Sequence, residues 1–172
     1  MAGNGLSNMR RWWRHQWTGS RALRKALPAE ALQRLGALVA ECETRHGGEI
    51  RFAVEASLDL PLIGEGQSAR ERSLEAFSQL RVWDTEANNG VLIYLLLADH
   101  DIEIVADRGI DRAVGAAGWE AVCHTMETAL RAGRFEEGLR RGIEAVSAHL
   151  ERHCPRGAGD GNELPDAPVV LE

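Results

Sequence analysis

At 172 residues, 44% hydrophobic and 27% charged, the chain has the size and balance of one globular domain with a core of its own. The net charge of −6 is unevenly spread: residues 1–29 carry six basic side chains and no acid, which leaves −12 on the rest. An acidic body excludes a protein that grips phosphate backbones, so no nucleic-acid partner is expected. Three scattered cysteines without a CxxC exclude a disulfide framework and a zinc ribbon.

In chain order, residues 8–26 read as a basic helix. Met9, Trp13 and Trp17 recur every four residues as one apolar stripe, expected to pack on the body. Arg10, Arg11, Trp12, Trp13, Arg14 and Trp17 are also the composition of a helix that lies on an anionic membrane surface. Pro28 opens a second helix whose apolar face is Leu32, Leu35, Val39 and Cys42, and Gly47-Gly48 are expected to end it at positive φ. EIRFAVEASL alternates and predicts a strand with one buried face. DLPLIGEGQ predicts a loop, and Ser68 caps the helix that follows.

VLIYLLLA is continuously apolar, as in a central strand, and with DIEIVAD it predicts a hairpin over 90–107. Two helices follow, at 116–132 and 134–152, separated at Gly133. The Gly-, Pro- and Asp-rich tail is expected to be disordered. The domain organisation is therefore an arm over 1–27, an α/β/α domain over 28–154 and a tail over 155–172. The fold class is α/β, a small mixed sheet between helical layers in the order α-α-β-α-β-β-α-α. No run of apolar residues is long enough to span a bilayer, the opening lacks the features of a signal peptide, and the expected location is the cytoplasm.

One constellation points to chemistry. Antiparallel geometry brings DTEANN, before the second strand, beside DRGID, after the third. Asp84, Asn88, Asn89, Asp107 and Asp111 could then offer oxygens to a divalent cation such as Ca2+. Plain turn chemistry is the competing reading: Asp84 and Asn88 capping turns, Gly90 relieving crowding, Asp107 paired with Arg108 or Arg112. His149 and His153, one helical turn apart, lack a well-placed third ligand.

HGGEIRFAVE, SLEAFSQLRVWDTEANNGVLIYLLLADHDIEIVADRGI, Trp119 and FEEGLRRGIEAV together closely resemble the TPM domain family. The family is named for a thylakoid lumen protein, a photosystem II assembly protein and a nematode receptor modulator. The resemblance is to its small bacterial branch without signal peptide or transmembrane helix, and it runs from about residue 10 to 153. It implies an α/β/α sandwich. It also implies a range of roles, because some members are described as acid phosphatases, some bind calcium, and bacterial members often neighbour LemA-type membrane proteins in the genome. The expected function is a non-catalytic binding or adaptor module at the inner membrane face with a LemA-type partner. The alternative is a metal-dependent acid phosphatase using the acidic loops.

Overall fold

The computed structural model describes residues 3–157 and 161–171, with side chains from Met9 onward. Three helices open the chain: α1 (Gly3–Trp17), α2 (Ser20–Ala26) and α3 (Ala29–Glu43). Strand β1 (Glu49–Glu55) follows, then the short α4 (Leu60–Gly64) and α5 (Ala69–Gln79). The hairpin is β2 (Gly90–Leu96) and β3 (Asp101–Ala106). Last come α6 (Arg108–Arg131), α7 (Phe135–His153) and β4 (Val169–Leu171).

The sheet order is β3-β2-β1-β4, with β2 antiparallel to β3 and parallel to β1, and β1 parallel to β4. Strand alternation divides the interior into two layers. Ile50, Phe52, Val54, Val91, Ile93 and Leu95 face one core with α2, α3, α6 and α7. Ala53, Leu92, Tyr94 and Leu96 face the other, with Trp12, Ile63 and Ala76 from α1, α4 and α5. This is the predicted α/β/α sandwich.

Local signals hold where the chemistry is local. Ser68 caps α5 in a capping box with Glu71, and Gly133 adopts φ +72 between α6 and α7. The hairpin turns through Leu97–Asp99 and His100, the latter left-handed at φ 52.

Five expectations need correction. The single helix over 8–26 is two helices, broken at Thr18 and Gly19. The loop after β1 contains α4. Neither Gly47 nor Gly48 has positive φ; Gly48 instead lies against α7, where a Cβ would stand 2.5 Å from Leu150 Cδ2 and the leucine would have to shift. The tail is not disordered over 161–171: it runs back along β1, pairing Ala53 with Val169 and Glu55 with Leu171, while residues 158–160 lie outside the described residues. Because that tail and α5 cover its polar side, β1 is buried on both faces rather than one.

Candidate functional site

The loops DTEANN and DRGID meet at the end of the sheet where β1 and β2 begin. Asn88, held at φ 53, accepts a hydrogen bond from Ile110 N–H at 3.2 Å through its backbone carbonyl, and Asp107 N–H donates to Gly90 O at 2.8 Å. The approach leaves no room for side chains. A Cβ on Gly109 would lie 2.5 Å from Asn88 O, and one on Gly90 would collide with the Val82 carbonyl. The sequence placed these loops together, and the antiparallel β2–β3 pairing is what joins them.

Within that junction two side-chain oxygens are buried without a hydrogen-bond partner among the described residues, Asn89 Oδ1 and Asp107 Oδ2. Asn89 is fixed by its other groups: Nδ2 donates to Gly47 O at 2.6 Å, and its N–H donates to Thr85 Oγ1 at 3.1 Å. Asp107 spends Oδ1 on capping α6, accepting from Arg108 N–H at 2.6 Å. Asn89 also lines a cleft of about 410 Å³ with Gly47, Gly109, Ile110 and His153.

The other predicted residues are engaged elsewhere. Asp84 is half-exposed and pairs with Arg81 at 2.6 Å. Asp111, in the first turn of α6, accepts from Trp119 Nε1 at 3.0 Å. That bond spans the break in α6 at Gly115, where φ is +74. Among the described residues, no three His, Cys, Asp or Glu side chains are grouped to hold a metal. Of the five predicted residues, Asn89 and Asp107 are the two that keep a buried side-chain oxygen without a hydrogen-bond partner among the described residues, and Asn88 contributes backbone shape. His149 and His153 stack at 6.5 Å between ring centroids; burial lowers His149, helped by Arg152 and His153. Burial pushes the Cys123 thiol up to about 11, well away from a nucleophile at neutral pH.

Three groups carry structure that sequence reasoning missed. Asp99, in the hairpin turn, latches α1: Arg11 Nε lies 2.8 Å and His15 Nε2 3.2 Å from its Oδ2, and Arg14 Nη2 3.0 Å from its Oδ1. His15 Nδ1 accepts from Leu58 N–H at 2.9 Å, so the ring's hydrogen sits on Nε2, toward Asp99. Burial alone pushes the Asp99 carboxyl up, but His15 and Arg11 together bring it below the usual range.

A second group closes the far end of β1. Tyr94 OH donates to Glu55 Oε2 at 2.5 Å while Arg72 grips the same carboxylate at 2.8 and 3.1 Å. Burial and Glu55 both push the Tyr94 phenol up. The third lies under the tail, where Glu43 accepts from Ile50 N–H at 2.7 Å and keeps Oε2 without a hydrogen-bond partner among the described residues. Burial, together with Glu49 and Asp166, raises Glu43 to about 8. No local motif announces any of these groups; every one joins residues far apart in sequence.

The latch decides which face of α1 is exposed. Arg11 and Trp12 turn to the body, Trp12 packing on the second core, while Met9 is 52%, Trp13 51% and Trp17 78% exposed. The expected inward stripe therefore points outward, because its neighbours Arg11 and His15 have a buried carboxylate to reach. No described helix is long and apolar enough to cross a membrane.

A mixed four-stranded sheet between helices, with its polar loops gathered where the parallel strands begin, defines the class: an α/β/α domain. The TPM domain model matches residues 22–149, and the chain belongs to that family. Its structure is similar to that of the BA42 protein from the psychrophilic bacterium Bizionia argentinensis. The two share 27% identity at a TM-score of 0.75, over 84% of this chain and 95% of that one. It shares its fold with the N-terminal domain of a P. gingivalis protein, at 18% identity and a TM-score of 0.60, over 77% of this chain and 83% of that one. No curated protein sequence matches the chain.

Proposed function

We propose that this TPM domain is a non-catalytic binding module that meets an anionic membrane surface through α1, at the inner face, and engages a LemA-type membrane protein there. The observation that carries the membrane contact is the outward stripe of Met9, Trp13 and Trp17. Exposed tryptophans on a latched helix are costly in water and favourable at a lipid headgroup boundary. Arg10 on α1, and Arg21, Arg24 and Lys25 on α2, are exposed, and each basic side chain near an anionic surface contributes about 1 kcal/mol. Arg11 and Trp12 are committed to the body, so the lipid-facing set narrows to Met9, Arg10, Trp13, Trp17 and the half-exposed Arg14. The test is co-sedimentation with phosphatidylcholine vesicles with and without phosphatidylglycerol. Binding that needs the anionic lipid, weakens with salt and falls at least tenfold in Trp13→Ala/Trp17→Ala supports the reading; no binding at low salt ends it.

A second reading rests on the two unpartnered oxygens of Asn89 and Asp107. They suit a hard divalent cation such as Ca2+, with carboxylate and amide oxygens as ligands. Saturable NMR shifts confined to residues 84–90 and 107–112 on adding calcium, absent in Asp107→Ala, support it. A metal-dependent phosphohydrolase would use the same rim, and unchanged phosphate-ester hydrolysis in Asp84→Ala and Asp107→Ala would remove it.

A further inference from the structure

The way residues 161–171 are held differs from ordinary chain packing. Glu49, 3% exposed at the start of β1, turns its carboxylate to the main chain of the tail, accepting from Glu163 N–H at 3.1 Å and Leu164 N–H at 2.9 Å. Two residues on, Arg51 Nη1 donates to the carbonyls of Pro165 and Ala167. From Ala53 to Glu55 the contact becomes a parallel ladder with Val169–Leu171. Main-chain groups are thus met by a carboxylate, then a guanidinium, then a strand edge. This is how an edge strand receives a peptide, with backbone bonds giving affinity and a few side-chain seats giving selection.

The side-chain seats are few. Leu164 alone in the tail is fully buried, against the second core, where Val169 and Leu171 also pack, partly buried. Pro168 lies on Gly36 of α3, where a Cβ would come within 3.0 Å of its Cδ. Val170 is 45% exposed. A cavity of about 200 Å³ remains between the segment and the body, lined by Glu43, His46, Glu49, Asn162 and Asp166. Glu43 Oε2 and His46 Nε2 are buried there without hydrogen-bond partners among the described residues. The segment is seated by its backbone, with a few side chains packed and a cavity left beside them. It also lies outside the residues matched by the family model.

We propose that the outer edge of β1 is a peptide-binding edge, that residues 161–171 occupy it in cis, and that an extended apolar segment of a partner protein takes the same seat when they lift. The fitting segment has a leucine, as at 164, and aliphatic residues five and seven positions later, as at 169 and 171. It runs parallel to β1. The tether gives the tail an effective concentration of about millimolar, so a partner competes only by binding more tightly or by trapping the lifted state. The inference extends the binding-module reading by saying where a protein partner sits; its failure would leave the vesicle result untouched.

The test uses the full chain carrying Leu164→Asp, which empties the seat without altering β1, and a fluorescent synthetic peptide of residues 161–171 as probe. The expected result is saturable binding to the variant, at least tenfold weaker binding to the wild type, and loss of binding when the peptide itself carries Leu164→Asp. A folded variant that ignores the peptide overturns the proposal. Should the variant not fold, a protease site replacing residues 158–160, cut after folding, decides. Exchange of the cut segment for the labelled peptide supports the edge, and a cut segment that cannot be exchanged overturns it. A wild-type dimer formed by exchanged tails would overturn the partner in favour of a second copy.

Discussion

The two ends of the chain lie against the same body by opposite means. At the N-terminal end α1 is held by side chains, three basic groups converging on the single carboxylate of Asp99, and its apolar stripe is left in solvent. At the C-terminal end residues 161–171 are held by their backbone, and one leucine is buried. Side-chain latching fixes one helix in one rotation, because only that rotation brings Arg11, Arg14 and His15 to Asp99. Backbone seating is tolerant of sequence. The first suits presenting a defined surface; the second suits exchange.

The largest test of the contrast is Asp99→Ala. It leaves the Arg11 guanidinium without its counter-charge and the His15 Nε2–H without the carboxylate it faces, and about 2–4 kcal/mol of stability should be lost in urea unfolding. Amide exchange should speed up first in α1 and at Leu58, and uniform exchange across the sheet instead would mean that α1 is not separately latched. The same carboxyl gives the acid limit. Its folded pKa lies below the ordinary value, so its contribution is present above that value and is lost as pH falls through the folded one.

The tail end has the reverse pH dependence. Glu43 rises from the ordinary 4.5 to about 8 through burial, with Glu49 and Asp166 adding to it. The fold disfavours its charge, so stability is full below 4.5 and declines as pH rises toward 8. His46, lowered by burial, acts in the opposite sense at lower pH, and Glu49, raised by burial, acts alongside Glu43. Comparing wild type with Glu43→Gln isolates the group. The variant should gain in melting temperature relative to wild type between pH 5 and 8.5, by on the order of 5 °C, and an unchanged difference would count against a buried acid under the tail.

The smallest effects separate the faces of α1. Trp12→Ala should cost about 1–2 kcal/mol, in keeping with its partial burial, whereas Trp13→Ala and Trp17→Ala should each stay within about 0.5 kcal/mol. Equal losses from all three would show the stripe to be packed in solution.

What the sequence made legible was local or followed from local geometry. The apolar run of β2, the Ser68 cap and the Gly133 break are each readable within a few residues. The meeting of DTEANN with DRGID followed from the hairpin. What it hid was long-range and polar. A Met9/Trp13/Trp17 stripe reads as a packing face until Asp99 is known to claim Arg11 and His15. A Gly-, Pro- and Asp-rich tail reads as disorder because composition reports side chains, whereas Glu49 and Arg51 bind main chain. In the rim, Asp84 and Asp111 looked equivalent to Asp107, but Arg81 and Trp119 take up their oxygens.

The parallel register has a consequence for the order of folding. The β2–β3 hairpin closes over neighbouring residues, Leu96 opposite Asp101, whereas β1 must find β2 across α4 and α5, and β4 must find β1 across everything from α4 to α7. Loop-closure entropy makes distant pairings late events. The tail should therefore be absent from the rate-limiting transition state, and Leu164→Ala should leave the refolding rate unchanged while speeding unfolding by the whole of its stability loss. Stopped-flow chevrons whose refolding limbs coincide would place the closing strand last.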